Sequence, residues 1–436
     1  MGKIDWSSLW KVEDWWACWI GWLILVLAWM GIAPSAIKYG TWAWGAWGDI
    51  FPKGWATLWP TGIILFLFAV VLTIIGAAFM KRSLRTYVPG FLLIFVLVIV
   101  AEVIAHQTQI KYWGIPYVLW ALAFGLIISN VFRVPKWLKP AVMTEFFIKI
   151  GLVCMGATII FWVVIKAGAV GMGQALLVVG AVWFFTYWIC RRFGLTERFS
   201  SIIATGNSIC GVSASIAAGG AVKGDPKEVS YIIAWLMVCA VILILVMPPI
   251  ARAMNLPTNM AGAWIGGVID NTGSVVAAGE MIKGEAAVNA AAMVKMAQNV
   301  LIGFVAFFLA IWATLSLERK AGAARPSVME IWYRFPKFIV GFIAASLIVT
   351  FVVIPIAGGD AGSAVEGICK SYRNLFFAIC FVCIGLETNF KELVTVGGGR
   401  PAAAYWIAQI FNAVWTLGVA WLLWSGVLFT PPILPD

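Results

Sequence analysis

The sequence contains little charge and a single histidine. Charged residues make up 11% of the 436 positions, and 30 basic side chains face 19 acidic ones. A soluble domain carries about a quarter of its residues as Asp, Glu, Lys and Arg. The composition therefore excludes an ordinary water-soluble fold. One imidazole also leaves little equipment for acid–base catalysis or metal binding, which usually combine several titratable side chains.

Motifs of the common enzyme and pump classes are also missing. The sequence contains no GxxxxGK[ST] phosphate loop, no GxSxG and no HExxH. We therefore predict that the protein is not an enzyme and has no metal or other cofactor. Most of its eight cysteines lie in apolar runs, which indicates small buried side chains rather than disulfides. This includes the CxxC pair Cys380 and Cys383.

Apolar residues, in contrast, are abundant. They make up 63% of the chain, and the mean hydropathy is +0.97. Runs such as 62–80, 229–250 and 287–315 are long enough to cross a hydrocarbon layer of about 30 Å as helices. The pattern predicts an all-α polytopic membrane protein with about 11 full transmembrane helices. The lipid bilayer is then its principal surroundings.

The basic residues lie in clusters in every second loop between the apolar runs. Cytoplasmic loops of membrane proteins carry this excess, so we expect these loops and the amino terminus to face the cytoplasm. The net charge of +11 does not form one basic face, and we expect no nucleic-acid partner. The clusters are Lys81, Arg82 and Arg85; Arg133, Lys136 and Lys139; Arg191, Arg192 and Arg198; Arg319, Lys320, Arg325, Arg334 and Lys337; Lys391 and Arg400.

Tryptophan is concentrated near the start of the chain. Twelve of the 26 tryptophans precede residue 60, which suits amphipathic rings at the two membrane interfaces. We therefore divide the sequence into a Trp-rich extension with a first transmembrane helix, residues 1–60, and a transporter domain, residues 61–436.

Two segments, 200–220 and 262–279, are poor transmembrane helices because Gly, Ser, Asn and Thr interrupt their centres. Irregular backbone at membrane depth is tolerated only where protein or a water-filled cavity satisfies its polar groups. We therefore expect the substrate at these two breaks. The candidate substrate-binding residues are Gly206, Asn207, Ser208, Cys210, Gly211, Ser213, Asn271, Thr272, Gly273 and Ser274.

The residue types at the breaks suit a small anion. A helix that begins inside the membrane presents unpaired N–H groups and a partial positive charge. Glycines allow close approach, and the neutral hydroxyl and amide groups bind an oxyanion without holding it permanently. A naked cation would need several carboxylates, and Asp270 is the one at the two breaks.

Two charged residues within or beside these segments have more than one interpretation. Asp270 binds a coupling proton or sodium ion, or it caps a half-helix. Lys295 contacts the anion or Asp270, or its ammonium group extends to the membrane interface. Glu102 and His106 are four residues apart and form a structural pair or a proton relay, with the structural pair favoured.

Short sequence echoes indicate internal duplication. Ala217-Ala218-Gly219 recurs 60 residues later as Ala277-Ala278-Gly279, and Lys223-Gly224 recurs as Lys283-Gly284. A weaker echo pairs residues 153–156 with residues 382–385. We predict two inverted repeats that meet near residues 221–260. The two broken segments are either re-entrant hairpins that enter from opposite sides or discontinuous helices that cross.

Residues 206–214, GNSICGVSA, resemble the GxSICGxSA signature of bacterial membrane proteins named as sulfate exporters. Residues 275–279 resemble the VVAAG stretch of that family, and Gly385-Leu386 fits its late-helix motif. The resemblance extends from about residue 89 to the end of the chain. Where the family is expected to have a histidine before the acidic residue, this chain has Ile269.

The resemblance implies a relationship to the sodium/proton antiporter and bile-acid symporter superfamily. It further implies two inverted repeats, a core domain that moves against a scaffold domain, a homodimer and a bacterial inner membrane location. The resulting hypothesis is a secondary transporter, and specifically an exporter, of a small oxyanion such as sulfate, sulfite or an organosulfonate. The alternative hypotheses are a sodium- or proton-coupled cation antiporter, or a symporter of a small carboxylate.

Overall fold

The computed structural model describes residues 8–113, 115–282, 284–318, 329–390 and 399–428, with 430, 432 and 434. Some residues of the predicted repeat and basic clusters lie outside these ranges, namely Lys283, Arg319, Lys320, Arg325 and Lys391.

Every regular element described is helical. In chain order the helices are α1 Ser8–Lys11, α2 Glu13–Trp29, α3 Trp55–Phe79, α4 Leu84–Ala105, α5 Thr108–Tyr112, α6 Tyr117–Ile127, α7 Thr144–Gly156, α8 Phe161–Arg192, α9 Glu197–Ser208, α10 Gly211–Ala221, α11 Pro226–Ala253, α12 Thr258–Val268, α13 Thr272–Glu280, α14 Glu285–Trp312, α15 Met329–Arg334, α16 Lys337–Ile348, α17 Ile354–Glu387 and α18 Arg400–Trp424.

Eight helical stretches in the described part of the chain are long and apolar enough to cross a membrane. The predicted all-helical, multi-pass membrane architecture is therefore confirmed, whereas the number of about eleven full spans stays a prediction. Three shorter helices, α2, α6 and α7, lie between or before the long ones. The eight stretches are Trp59–Phe79, Leu84–Ala105, Phe161–Arg192, Pro226–Ala253, Glu285–Leu315, Lys337–Ile356, Gly362–Glu387 and Arg400–Trp424.

The chain forms two compact units. Unit 1 contains residues 1–164 and 337–387, and unit 2 contains residues 165–336 and 388–436. The Trp-rich extension belongs to unit 1, where α2 packs against α7 and α16. Trp22 of α2 donates its indole N–H to Gly341 O at 3.0 Å.

Glycines bring the helices of unit 1 into close contact. A Cβ on Gly156 at the end of α7 would collide with Phe342 O, and one on Gly385 would collide with Leu122 O. These two glycines end the weaker sequence echo, so both copies use the glycine for close backbone approach. Lys149 of α7 contributes an ion pair to the same unit, with Nζ 2.8 Å from Glu13 Oε1.

Helices α9 and α10 of unit 2 form a re-entrant hairpin, here called hairpin 1. Its two arms are antiparallel, because Arg198 Nη1 donates to Lys223 O at 3.4 Å while Gly206, nearer the bend, faces Ser215. The bend lies at Ile209 and Cys210, and Cys210 has the extended backbone angles φ −155° and ψ 120°. The sequence left two arrangements open for the broken segment 200–220, a hairpin or a discontinuous helix that crosses the membrane, and the structure has the hairpin.

Helices α12 and α13 form hairpin 2. Gly262 and Gly266 of α12 contact Ala287 and Ala291 of α14, so α12 and α14 run parallel. Helix α13 runs antiparallel to α14, since a Cβ on Gly279 would lie 3.1 Å from Val288 Cα near the start of α14. The arms α12 and α13 are therefore antiparallel to each other.

The two hairpins occupy opposite halves of α14. Hairpin 2 follows its first half, up to about Ala291, whereas Ala214 and Ala217 of hairpin 1 share a buried cluster with Ile302 and Ala306. The bends of both hairpins thus lie near the middle of α14. This arrangement brings the two irregular segments together within unit 2.

The 60-residue echo coincides with the helix boundaries. Adding 60 to the bounds of α9 gives 257–268, and α12 spans Thr258–Val268. The same shift carries α10 to 271–281, against Thr272–Glu280 for α13, and places the start of α11 at 286, one residue from the start of α14. The local repeat is therefore a hairpin followed by a long helix. The larger pair of inverted repeats that the resemblance implies stays a prediction.

Candidate functional site

The bends of the two hairpins touch. The amide of Gly211, the first residue of α10, donates to Asp270 O at 2.8 Å. A Cβ on Gly211 would lie 3.6 Å from Asp270 Cβ, an ordinary van der Waals distance, so the two bends are in direct contact. The structure therefore brings together the two sets of residues that the sequence singled out, although they are about 60 positions apart along the chain.

Hairpin 1 leaves polar groups without partners at its bend. Ser208 is 1% exposed and its hydroxyl has no hydrogen-bond partner among the described residues. Asn207 donates from Nδ2 to Thr186 Oγ1 at 3.0 Å, while its Oδ1 has no partner in the same set. Buried polar groups normally find partners, so these atoms indicate a place for a ligand.

The first turn of α10 is not fully enclosed. Val212 and Ser213 are partly exposed, and Ile216, one turn further, is 56% exposed. These positions lie on one face of α10, next to the buried residues of the bend.

Lys295 is fully buried at the bend of hairpin 1. Its ammonium group donates to Ile209 O, and to Gln298 Oε1 at 3.0 Å. The side chain is 1% exposed, so the interpretation that it extends to the membrane interface is wrong. Lys295 thus brings its ammonium group to the backbone of Ile209, the residue that follows Ser208.

The side chain of Asp270 does not cap α13. The N-cap of α13 is Asn271, whose side chain accepts from Ser274 N at 3.1 Å. The Asp270 carboxylate instead accepts a hydrogen bond on Oδ2 from the Tyr405 hydroxyl at 2.6 Å, and Oδ1 has no partner among the described residues. No ion pair joins Asp270 to Lys295 in the described part of the chain. The carboxylate is therefore available for another role.

Hairpin 2 is almost completely satisfied at its bend. Gln409 Nε2 and Asn412 Nδ2 both donate to Val268 O, at 2.8 and 3.3 Å. Gln298 Nε2 donates to Gly267 O at 3.1 Å. Side-chain amides thus replace the missing helical donors for the last carbonyl groups of α12. Every residue from 260 to 279 is buried.

The remaining predicted residues have packing or capping positions. Thr272 Oγ1 accepts from Asn299 Nδ2 at 3.2 Å, and Gly273 and Ser274 are buried in the first turn of α13. A Cβ on Gly206 would collide with Ser215 Oγ and lie 2.5 Å from Leu236 Cδ1. Gly206 therefore brings the arms of hairpin 1 together and does not face the open groups.

Sequence reasoning missed the contribution of α18. Tyr405, Gln409, Asn412 and Thr416 are buried on one face of this helix, at spacings of four, three and four residues. Polar side chains at helical spacing inside an apolar span normally face other helices, and this stripe could have been found from the sequence. Gln298 of α14 contacts both hairpins, and no local sequence pattern encodes these contacts.

Two other polar features were predicted from the sequence. His106 Nδ1 is 2.8 Å from Glu102 O and 3.7 Å from Glu102 Oε2, so the expected pair is present in unit 1. All eight cysteines are buried, and none of them forms a disulfide bond among the described residues. The described residues contain no group of three or more His, Cys, Asp or Glu side chains that could hold a metal ion.

Comparison with known proteins identifies relatives of the chain. Residues 89–404 match the family model described as "Conserved hypothetical protein 698". A UPF0324 membrane protein from Rhodopirellula baltica is 36% identical over 93% of this chain and 74% of its own length. One from Nitratidesulfovibrio vulgaris is 36% identical over 80% of this chain, which spans 61% of that relative.

A more distant relative covers the whole chain. A UPF0324 membrane protein from Nitrosomonas europaea is 27% identical over 98% of both chains, so the Trp-rich extension falls within the matched part. No solved structure matches the chain. The family match covers both hairpins and most of the long helices, and the relatives are membrane proteins by name. The chain therefore belongs to the conserved hypothetical protein 698 family, that of the UPF0324 membrane proteins.

Proposed function

We propose that the protein is a secondary transporter of a small oxyanion, and that the anion binds where the bends of hairpins 1 and 2 meet. The observation that carries the proposal is the N-terminus of α10. This helix begins without a side-chain cap. Just before it in the chain, the hydroxyl of Ser208 has no partner among the described residues, and the ammonium group of Lys295 donates to Ile209 O. Backbone N–H groups, a hydroxyl and a compensating charge are what an oxyanion requires.

The arrangement favours transport over simple binding. Two re-entrant hairpins whose bends meet half-way along a long helix provide a site within the membrane that is formed by irregular backbone, as in many secondary transporters. Neutral donors hold the anion without making its release slow. The class of substrate is a sulfate, sulfite or sulfonate group, and the resemblance to exporters supports outward movement.

The same proposal includes the cellular setting. The basic clusters between α3 and α4 and at the end of α8 support a cytoplasmic location of these loops and of the amino terminus, in a bacterial inner membrane. A homodimer is proposed from the resemblance. Labelling of a cysteine introduced at Lys81 from the cytoplasmic side only would agree with this topology, and labelling from the outside would contradict it.

The test is thermal stability of the purified chain with sulfate, sulfite, methanesulfonate, small carboxylates, chloride or sodium. A ligand of the folded state raises the melting temperature by mass action. We expect stabilisation by a sulfur oxyanion, and its loss when Asn207→Ala, Ser208→Ala and Asp270→Asn are combined. Unchanged binding and vesicle transport in this triple variant would reject the site.

A different outcome would favour the cation antiporter. Stabilisation by sodium alone, together with sodium-dependent proton movement in vesicles that contain no added oxyanion, would replace the proposed function. Stabilisation by small carboxylates with no effect of sulfur oxyanions would instead change the substrate to a carboxylate and retain the site.

A further inference from the structure

Asp270 lies next to the proposed anion site but contributes a charge of the wrong sign. Its backbone oxygen accepts from the Gly211 amide, and its Oδ1 is buried and unpartnered among the described residues. An oxyanion at the N-terminus of α10 would therefore come within a few ångströms of a carboxylate. Two such charges repel strongly where water is excluded.

The groups that face Asp270 provide one positive charge. Lys295 of α14 interacts with it electrostatically, and Tyr405 of α18 donates a hydrogen bond. Cys239 of α11 interacts with Asp270, and Cys210 of hairpin 1 interacts with Lys295. With both thiols and the phenol neutral, an ionised Asp270 and a charged Lys295 sum to zero. A bound monoanion would leave one negative charge in excess.

We propose that the transporter binds a singly charged oxyanion together with one proton, which Asp270 takes up. The proposal rests on the proposed function of the site. The proton comes from solution and adds to the Asp270 carboxylate, Oδ1 being the oxygen without a partner, while the anion binds at α10; no covalent bond of the anion changes. The occupied site then carries the charge of Lys295 and that of the anion, which cancel.

The contacts of the bends favour a proton over a sodium ion. In transporters, sodium is coordinated by unwound backbone carbonyls and half-helix ends. Here the carbonyls of Gly267 and Val268 accept from Gln298, Gln409 and Asn412. Ile209 O accepts from Lys295, and Asp270 O accepts from Gly211. A cation would have to displace several of these donors.

The charge balance has two consequences. A dianion such as sulfate leaves the site with one negative charge in excess, so a sulfonate or another monoanion should bind more tightly. Binding of anion and proton together also couples transport to the proton gradient. An inward proton gradient then drives entry of the anion, and exit requires an excess of the anion inside.

Calorimetric titration of the purified full-length chain with methanesulfonate tests the proposal, because this anion stays ionised over the working range. Heats measured in two buffers of different ionisation enthalpy give the number of protons taken up. We expect about one proton per anion on the alkaline side, and an apparent affinity that falls about tenfold per pH unit there. Sulfate should bind at least about tenfold more weakly than methanesulfonate.

Asp270→Asn should abolish proton uptake and make methanesulfonate binding independent of pH. The matched control is Asp225→Asn, at the exposed start of α11, which should behave as the native chain does. If Asp270→Asn fails to fold, Tyr405→Phe provides the second variant. It removes a donor to the carboxylate, so proton uptake should persist to higher pH.

The outcomes separate this inference from the proposed function. Any of three results would overturn the coupling and leave the anion site intact. These are binding of methanesulfonate without proton uptake, proton uptake that survives in Asp270→Asn, and binding that requires sodium. Failure of every oxyanion to bind the native chain and Asp270→Asn at any pH would instead reject the proposed function.

Discussion

The two hairpins share one architecture but differ in how their bends are satisfied. Hairpin 2 has a side-chain cap from Asn271 and amide donors on its last carbonyls, and its residues 260–279 are all buried. Hairpin 1 has no such cap, and Ser208 has a hydroxyl without a partner among the described residues. For the proposed anion site, we therefore propose that hairpin 2 provides a fixed frame and that hairpin 1 provides the binding surface.

The difference extends to how each hairpin packs against its neighbours. Gly262 and Gly266 of hairpin 2 meet the backbone of α14, whereas Gly206 of hairpin 1 meets the ends of two side chains. Backbone cannot give way as a side chain can. The frame and the binding surface should therefore respond differently to equivalent substitutions.

The largest effect is expected at the equivalent glycines Gly266 and Gly206. A methyl group on Gly266 would lie 2.5 Å from Ala291 O, so Gly266→Ala should lower the free energy of unfolding by about 1–3 kcal/mol. Gly206→Ala should cost less, because Ser215 and Leu236 can rotate. Equilibrium denaturation of the purified protein measures both values.

Gly173→Ala in α8 is the control, since no atom lies within 4 Å of the added methyl group. It should leave stability unchanged or raise it by up to about 1 kcal/mol. Equal losses at Gly206 and Gly266 would remove the distinction between a rigid and an adaptable hairpin.

A smaller effect should separate the two bends by function. Asn271→Ala removes the cap of α13 and should cost about 1 kcal/mol of stability with little change in methanesulfonate affinity. Ser208→Ala should do the reverse, with stability within about 0.5 kcal/mol of native and affinity reduced about tenfold. Thermal melting and calorimetric titration of both variants provide the comparison. A loss of affinity confined to Asn271→Ala would place the anion on hairpin 2.

The smallest effect is expected from a single change in the polar stripe of α18. Gln409→Leu leaves Asn412 as a donor to Val268 O, so the loss of stability should be about 0.5 kcal/mol. Combining Gln409→Leu with Asn412→Leu leaves this buried carbonyl without either donor. The combined loss should exceed the sum of the single losses, whereas simple additivity would show that water or another group replaces them.

The sequence allowed the helical membrane class and the position of the two breaks to be predicted, because composition and polarity along the chain determine both. It also indicated the 60-residue repeat, although Lys283 of one copy lies outside the described residues. The number of full spans was harder to predict. Short helices such as α7, with 13 residues, fall below the length at which hydropathy recognises a span.

The sequence indicated which residues form the two bends, but not what each of them contacts. Asp270 and Asn271 are adjacent polar residues, and either could cap α13. The roles of Lys295 and Gln298 depend on which carbonyls lie opposite them once hairpin 1 has folded back. Such contacts join residues 86 and 90 positions apart, and no local pattern encodes them.

These long-range contacts also set an order of events during synthesis. The bend of hairpin 1 leaves the ribosome well before Lys295 and Gln298, the residues whose side chains satisfy Ile209 O and Ser208 O. At a synthesis rate of about 5–20 residues per second, these donors leave the ribosome roughly 5–20 s after the bend. During this interval its backbone has no complete set of partners in lipid. Hairpin 1 should therefore remain at the membrane surface, or in the protection of the insertion machinery, until α14 has been inserted.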